Sequence, residues 1–249
     1  MSDGGKNLSV LDHINELRTR LVKSVIAVAL GAAIAFIFRD YIIYYLKLPG
    51  GEFYPQAIQM MEMMSIYMKV SLATGIALTL PYLAYHGIMF ISPALTQKER
   101  KYLYLVLPWV GFMFIAGVAF GYFILLPPAI RFLLGFGSTV AEIQPTIGSY
   151  MNVVTRLLLA IGFVFELPVI TTFLSRIGVI KPKWLSDRRK IAIIFAFILA
   201  ALITPTFDPI NQVLVAVPLI VLYELSILLS KLVYKKKIDE EAPVSSLAT

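Results

Sequence analysis

The sequence predicts an all-α membrane protein of six transmembrane helices, kinked and concave, with both termini cytoplasmic and with short fifth and sixth helices. Three observations predict this. Of the 249 residues, 59% are hydrophobic and 15% charged, where a soluble domain carries about 45–50% and about 25%. The apolar residues collect in long charge-poor runs, and a bilayer core of about 30 Å takes roughly 20 residues of helix. The basic residues crowd into alternate connections, the bias that sets membrane orientation.

The elements follow in order. Ser9-x-x-Asp12 has the form of a helix-capping pair. Val10, Ile14, Leu17 and Leu21 then recur at helical spacing, which predicts an amphipathic cytoplasmic helix lying on the membrane before turning into the first span, 22–44. A basic stretch precedes that span as in a signal peptide, but five further runs follow, so it is read as an uncleaved helix. An outer loop, 45–65, holds Pro49-Gly50-Gly51, Pro55 and the methionine-rich patch Met60–Met64. The second span is 66–92. Thr96-x-x-Glu99 forms a capping box that opens the third span, 102–133, which is long enough to project or tilt. A glycine- and proline-rich outer loop, 134–149, leads into the fourth span, 150–177. The fifth, 190–205, is short and ends at Thr204-Pro205; the sixth, 209–231, starts after Asp208-Pro209. The two make a shallow hairpin expected to thin the bilayer. Residues 1–234 read as one domain, and 235–249 as a disordered cytoplasmic tail.

Prolines 81, 108, 168 and 218 fall in or near spans and predict kinks. Gly117-x-x-x-Gly121 allows close helix approach and is read as internal packing. Seventeen of the 22 basic residues lie on the side of the termini, three lie opposite and two lie within spans. The net charge of +7 is therefore a topology signal, not one for nucleic acid. With no cysteine and two histidines, disulfides and thiolate or histidine-rich metal sites are excluded. No phosphate-binding loop or nucleophile triad is present, so neither a cofactor nor an enzymatic activity is expected.

Four places carry candidate chemistry. Glu16 precedes Arg20 by four residues, which fits either a surface ion pair or an anionic contact for a basic ligand. Glu99 is explained by its cap, yet it is the one acid in a basic loop. Glu166 lies in a charge-free run from Leu157 to Leu174, and an ionisable group at mid-membrane costs about 2.5–3.5 kcal/mol on insertion scales, so it is a functional candidate. Asp208, Asn211 and Gln212 cluster at the start of the last span; Asp208-Pro209 fits a helix cap, while Gln212, one turn deeper, is not explained by one, and Glu224 sits nearer the inner end.

Taken together, His13-Ile-Asn-Glu-Leu-Arg-Thr-Arg-Leu21, Phe90-Ile-Ser-Pro-Ala-Leu95 with Lys98-Glu-Arg100, Phe165-Glu-Leu-Pro168, and Leu202-Ile-Thr-Pro205 with Asp208 and Gln212 resemble motifs of the TatC family, in the family's order. That family is the multispanning core of the twin-arginine protein translocase. Pro205-Thr-Phe-Asp208 is one residue longer than the family's turn. The resemblance implies a receptor for signal peptides with paired arginines, borne by proteins that cross the membrane folded. It implies signal-peptide binding by Glu16 and Glu99, with Arg18 and Phe90 nearby. It implies that Glu166 and Gln212 face the concave surface and meet single-span TatA-like and TatB-like partners, with span five toward TatB. It further implies self-association in a receptor complex, the proton-motive force as energy source, and the inner membrane of a prokaryote. From the residues alone, a proton-coupled small-solute transporter is the alternative.

Overall fold

The computed structural model describes the backbone of residues 10–51, 55–91, 97–135, 145–204 and 208–245, and side chains within 13–51, 55–90, 102–135, 145–204 and 208–234. Among these residues the chain is helical, without strands; one isolated parallel bridge joins Gln56 to Thr146.

α1 runs unbroken over Val10–Ile37. No proline interrupts it, and its 28 residues span about 42 Å. The amphipathic start is therefore the projecting end of the first span, not a separate surface helix that turns into it. At Phe38 the backbone leaves the helical basin (φ −97°, ψ 13°) and the chain turns into α2, Arg39–Lys47. Arg39 anchors this corner: its guanidinium lies 4.8 Å from the Phe36 ring centroid and 5.0 Å from that of Tyr67, and it donates to the Phe36 carbonyl at 3.2 Å. The expected span 22–44 thus ends near Ile37. Gly51, at φ +79°, turns the chain beyond α2.

α3 (Glu62–Ile91) returns antiparallel to α1. His13 meets Phe90 at one end, Gly31 meets Gly75 midway, and Arg39 meets Tyr67 at the other. α4 (Gln97–Phe120) runs back beside it, with Gly111 against Pro81. It continues through a π-helical turn, Gly121–Leu125, into α5, Leu126–Gly135. Pro127 and Pro128 remove two consecutive donors, and the wider turn before them absorbs the offset. α6 (Ile147–Val164) is capped by Thr146, whose hydroxyl accepts from the Ser149 amide at 3.1 Å. The helix breaks at Phe165-Glu166 because Pro168 offers no N–H, and it resumes as α7, Leu167–Arg176. A short α8 (Pro182–Asp187) leads to α9 (Arg189–Ile203) and α10 (Pro209–Ser245).

α6 is the centre of the core: Val154 and Ile161 are fully buried, among residues of α3, α9 and α10. Gly117 and Gly121 pack against α6, Gly117 on Gly162 and Phe165 and Gly121 on Leu158 and Ile161, so this glycine pair closes an internal crossing. α10 joins α7 through a buried Ser175–Ser230 hydroxyl pair at 3.0 Å.

Among the described residues, five helical stretches are long and apolar enough to cross a membrane: His13–Ile37, Glu62–Phe90, Tyr102–Gly135, Ile147–Arg176 and Pro209–Tyr234. α9, at 15 residues, is shorter than these, as expected for the fifth helix. The expectation of a short sixth helix is corrected: α10 has 37 residues. Its backbone continues into the segment read as a disordered tail. There Lys235, Lys236 and Lys237 each precede an acid by four residues, a spacing that favours helix.

Candidate functional site

The N-terminal end of α1, the C-terminal end of α3 and the N-terminal end of α4 lie at one end of the bundle, because α1 and α4 both run antiparallel to α3. Glu16 sits there, two turns into α1. Its Oε1 accepts from Arg20 Nε at 2.9 Å, and its Oε2 lies 3.9 Å from His13 Nδ1. The Glu16 side chain keeps 25% of its surface exposed and Arg20 keeps 21%. His13 is stacked on Phe90 with ring centroids 4.2 Å apart. This joins two of the sequence-predicted residues, Glu16 and Phe90, through a histidine that the sequence shows only as the first residue of the His13–Leu21 motif. Arg18 is exposed on the same helix. Glu99 lies in the first turn of α4, so its backbone is at this end, while its side chain and the proposed Thr96 cap fall outside the described residues.

A carboxylate bonded to its own helix neighbour is cheaply re-partnered. An i,i+4 pair within one helix contributes only about 0.2–0.5 kcal/mol. A planar guanidinium from outside that binds bidentately gains more than that.

The second set lies deeper. Glu166 occupies the break between α6 and α7 and is 5% exposed. Its carboxyl faces the α4 backbone at Phe114, and neither oxygen closes a hydrogen bond of normal geometry among the described residues. In this structure it is an intramembrane polar group enclosed by the chain's own helices, not a displayed one. Gln212 is occupied too: its Nε2 donates to the Phe197 carbonyl at 3.0 Å and ties α10 to α9. Asp208 caps α10, accepting from the Asn211 amide at 2.7 Å and from Asn211 Nδ2 at 3.1 Å. Glu224 pairs with Arg189 at 2.7 Å.

Sequence reasoning passes over Glu62. Its Oε2 accepts from the amides of Ile58 (2.8 Å) and Gln59 (3.3 Å), and its Oε1 accepts from the amide of Gly148 at 2.8 Å. With the Ile147 amide donating to the Gln56 carbonyl at 3.0 Å, it clasps the loop before α3 to the start of α6. The one signal in the sequence is an acid at a helix start, which reads as an ordinary cap. Its third partner is 86 positions away.

No group of three or more His, Cys, Asp or Glu side chains suited to a metal occurs among the described residues.

Residues 12–218 match the family model described as TatC, Sec-independent protein translocase protein. A TatC translocase protein of Desulforapulum autotrophicum is 40% identical over 92% of this chain and 87% of its own length. One from Aquifex aeolicus is 39% identical over 92% of this chain and 98% of its own. A crystal structure of the twin-arginine translocase receptor TatC superposes with a TM-score of 0.80 at 38% identity, covering 89% of this chain and 99% of that one.

Proposed function

This chain belongs to the TatC family, and we propose on that premise that it is the core subunit of a twin-arginine protein translocase whose α1/α3/α4 end binds the paired arginines of signal peptides. It is a multi-pass membrane protein of a prokaryote and a translocase component, not an enzyme. The family replaces the small-solute transporter as the reading of its buried carboxyl.

The observation that supports the site is the convergence of Glu16, His13 and Phe90 with the first turn of α4 at one end of the bundle. Glu16 and Glu99 each take one guanidinium, Arg20 yields to the incoming arginine, and Phe90 and Arg18 border the site. The charge bias supports a cytoplasmic position for this end and for both termini, with α9 crossing as the fifth of six spans. TatA-like and TatB-like helices join near the α9–α10 pair and the Glu166 break, and the proton-motive force drives transport. Enclosure of Glu166 means that such a partner reaches it only after α4 and α7 part. Wild-type transport and partner assembly in Glu166→Ala would remove that step.

The test is binding of a fluorescent twin-arginine signal peptide to the purified full chain, with a twin-lysine control. A charge-assisted contact contributes about 1.5–3 kcal/mol, so Glu16→Ala and Glu99→Ala should each weaken binding roughly tenfold or more. Binding that ignores both acids and the lysine exchange moves recognition elsewhere.

A further inference from the structure

We propose that the groove between α3 and α6, at the end of the bundle opposite the proposed docking site, binds one anionic phospholipid with its phosphate at Arg156 and Lys69. The two helices run parallel, and the outer part of the groove is polar: Glu62, Ser65 and Lys69 of α3 line it with Ser149 and Asn152 of α6. Arg156 lines the next stretch, where the remaining walls are largely apolar, with Leu72 and Ile76 on α3 and Leu159 on α6. Polar groups give way to hydrocarbon along one groove, as they do along a lipid.

Arg156 lacks a counter-charge. It is exposed and makes no hydrogen bond or ion pair among the described residues. Lys69 donates to Asn152 Oδ1 at 3.2 Å, one turn before Arg156 on α6. That partner is neutral, and the ammonium keeps two further N–H groups. The one acid lining the groove among the described residues is Glu62, whose oxygens are taken up by three backbone amides. An unpaired cation within a span is costly and calls for an anion. Its depth indicates which. The spans Glu62–Phe90 and Ile147–Arg176 hold 29 and 30 residues, about 43–45 Å of helix against a hydrocarbon core of about 30 Å. Centred on that core, they place the backbones of Lys69 and Arg156 about 4–6 Å below its surface, and both side chains are long enough to snorkel to it. At that level the bilayer itself supplies the anion, a lipid phosphate, whose oxygens the guanidinium fork matches. Basic pockets between transmembrane helices bind anionic headgroups in this way.

The test is native mass spectrometry of the detergent-purified full chain, titrated with phosphatidylglycerol or with phosphatidylcholine of the same chains. One cation near an anionic headgroup gives about a fivefold preference, so the wild type should retain one phosphatidylglycerol with a preference of roughly 25-fold. Arg156→Gln and Lys69→Gln should each lower the preference about fivefold, and the double variant should abolish it. Arg131→Gln, on α5 and outside the groove lining, should leave it unchanged. Circular dichroism confirms that each variant is folded. Equal retention of the two lipids by the wild type, or an undiminished preference in the double variant, overturns the proposal. Equal retention together with Arg156-dependent binding of a glutamate-bearing transmembrane peptide would overturn it in favour of a helix as the occupant.

Discussion

Replacing Gly75 by alanine tests the α1–α3 crossing on which the proposed docking end depends. A β-carbon at Gly75 would come within 2.5 Å of the Ala32 nitrogen, 2.7 Å of the Ala32 Cα and 2.9 Å of the Gly31 carbonyl carbon. All three are backbone atoms, so no side-chain rotation relieves the clash and the helices must separate. Overpacking of this kind costs about 1–3 kcal/mol, and the better helix propensity of alanine returns about 0.8–1 kcal/mol. The net expectation is destabilisation of up to about 2 kcal/mol. Gly87, in the same helix, faces open space, and a β-carbon added there would meet nothing within 4 Å. Gly87→Ala should therefore gain most of the propensity difference. The assay is thermal unfolding of the detergent-solubilised chain followed by circular dichroism. Gly75→Ala should melt several degrees below wild type, and Gly87→Ala at or above it. Because α1 carries both Glu16 and the histidine stacked on Phe90 of α3, Gly75→Ala should also weaken signal-peptide binding at temperatures where it is fully folded. Equal melting temperatures for the two variants would refute the crossing geometry.

Three further outcomes are expected. Asp208→Ala should cost about 1 kcal/mol through loss of the α10 cap, while Asp208→Asn should stay near wild type; chemical unfolding in mixed micelles separates the two. Ser175 and Ser230, both fully buried, should show a coupling of about 0.6 kcal/mol in a double-mutant cycle to alanine, the usual size for a polar pair between membrane helices; zero coupling would mean the pair is incidental. Glu62→Gln should expose the connection between α2 and α3 to limited proteolysis before any global unfolding, because three amide donors then compete for one amide oxygen; an unchanged digestion rate would show that the clasp is not what holds the loop.

The helices are legible in the sequence because membrane spans announce themselves by composition over some 20 residues. The second span, read as 66–92, is Glu62–Ile91, and the break before Pro168 follows from its missing donor. The corner at Phe38 is not legible. The apolar pattern continues through Tyr41–Leu46, so a window sees one span where the backbone turns and Arg39 finds two rings from different helices. The end of α10 misleads for a related reason: the polar composition after Lys235 signals disorder, whereas its i,i+4 charge order supports helix. At the docking end, Glu16 with Arg20 follows from spacing. The stack of His13 on Phe90 does not, because the two are 77 positions apart and meet only after α1 folds along α3. Asp208 reads as a cap from its place before Pro209 and caps α10, whereas Gln212 reads as a candidate for partners and is taken up in tying α10 to α9, a use that a lone polar residue in a sequence does not disclose.

The clasp at Glu62 also has a mechanical meaning. α3 and α6 run parallel, and the carboxylate pins their N-terminal ends together through Gly148 while Lys69 meets Asn152 at 3.2 Å two turns further on. Two parallel rods stapled at one end act as tweezers, with the staple as fulcrum. Displacement is smallest at the pinned loops and grows with distance along the rods. It grows along α3 toward Phe90, which stacks on His13 of α1, and along α6 toward the break at Glu166. A load that parts α3 from α6 is therefore expected to spread them more near the enclosed Glu166 than at the clasped loops.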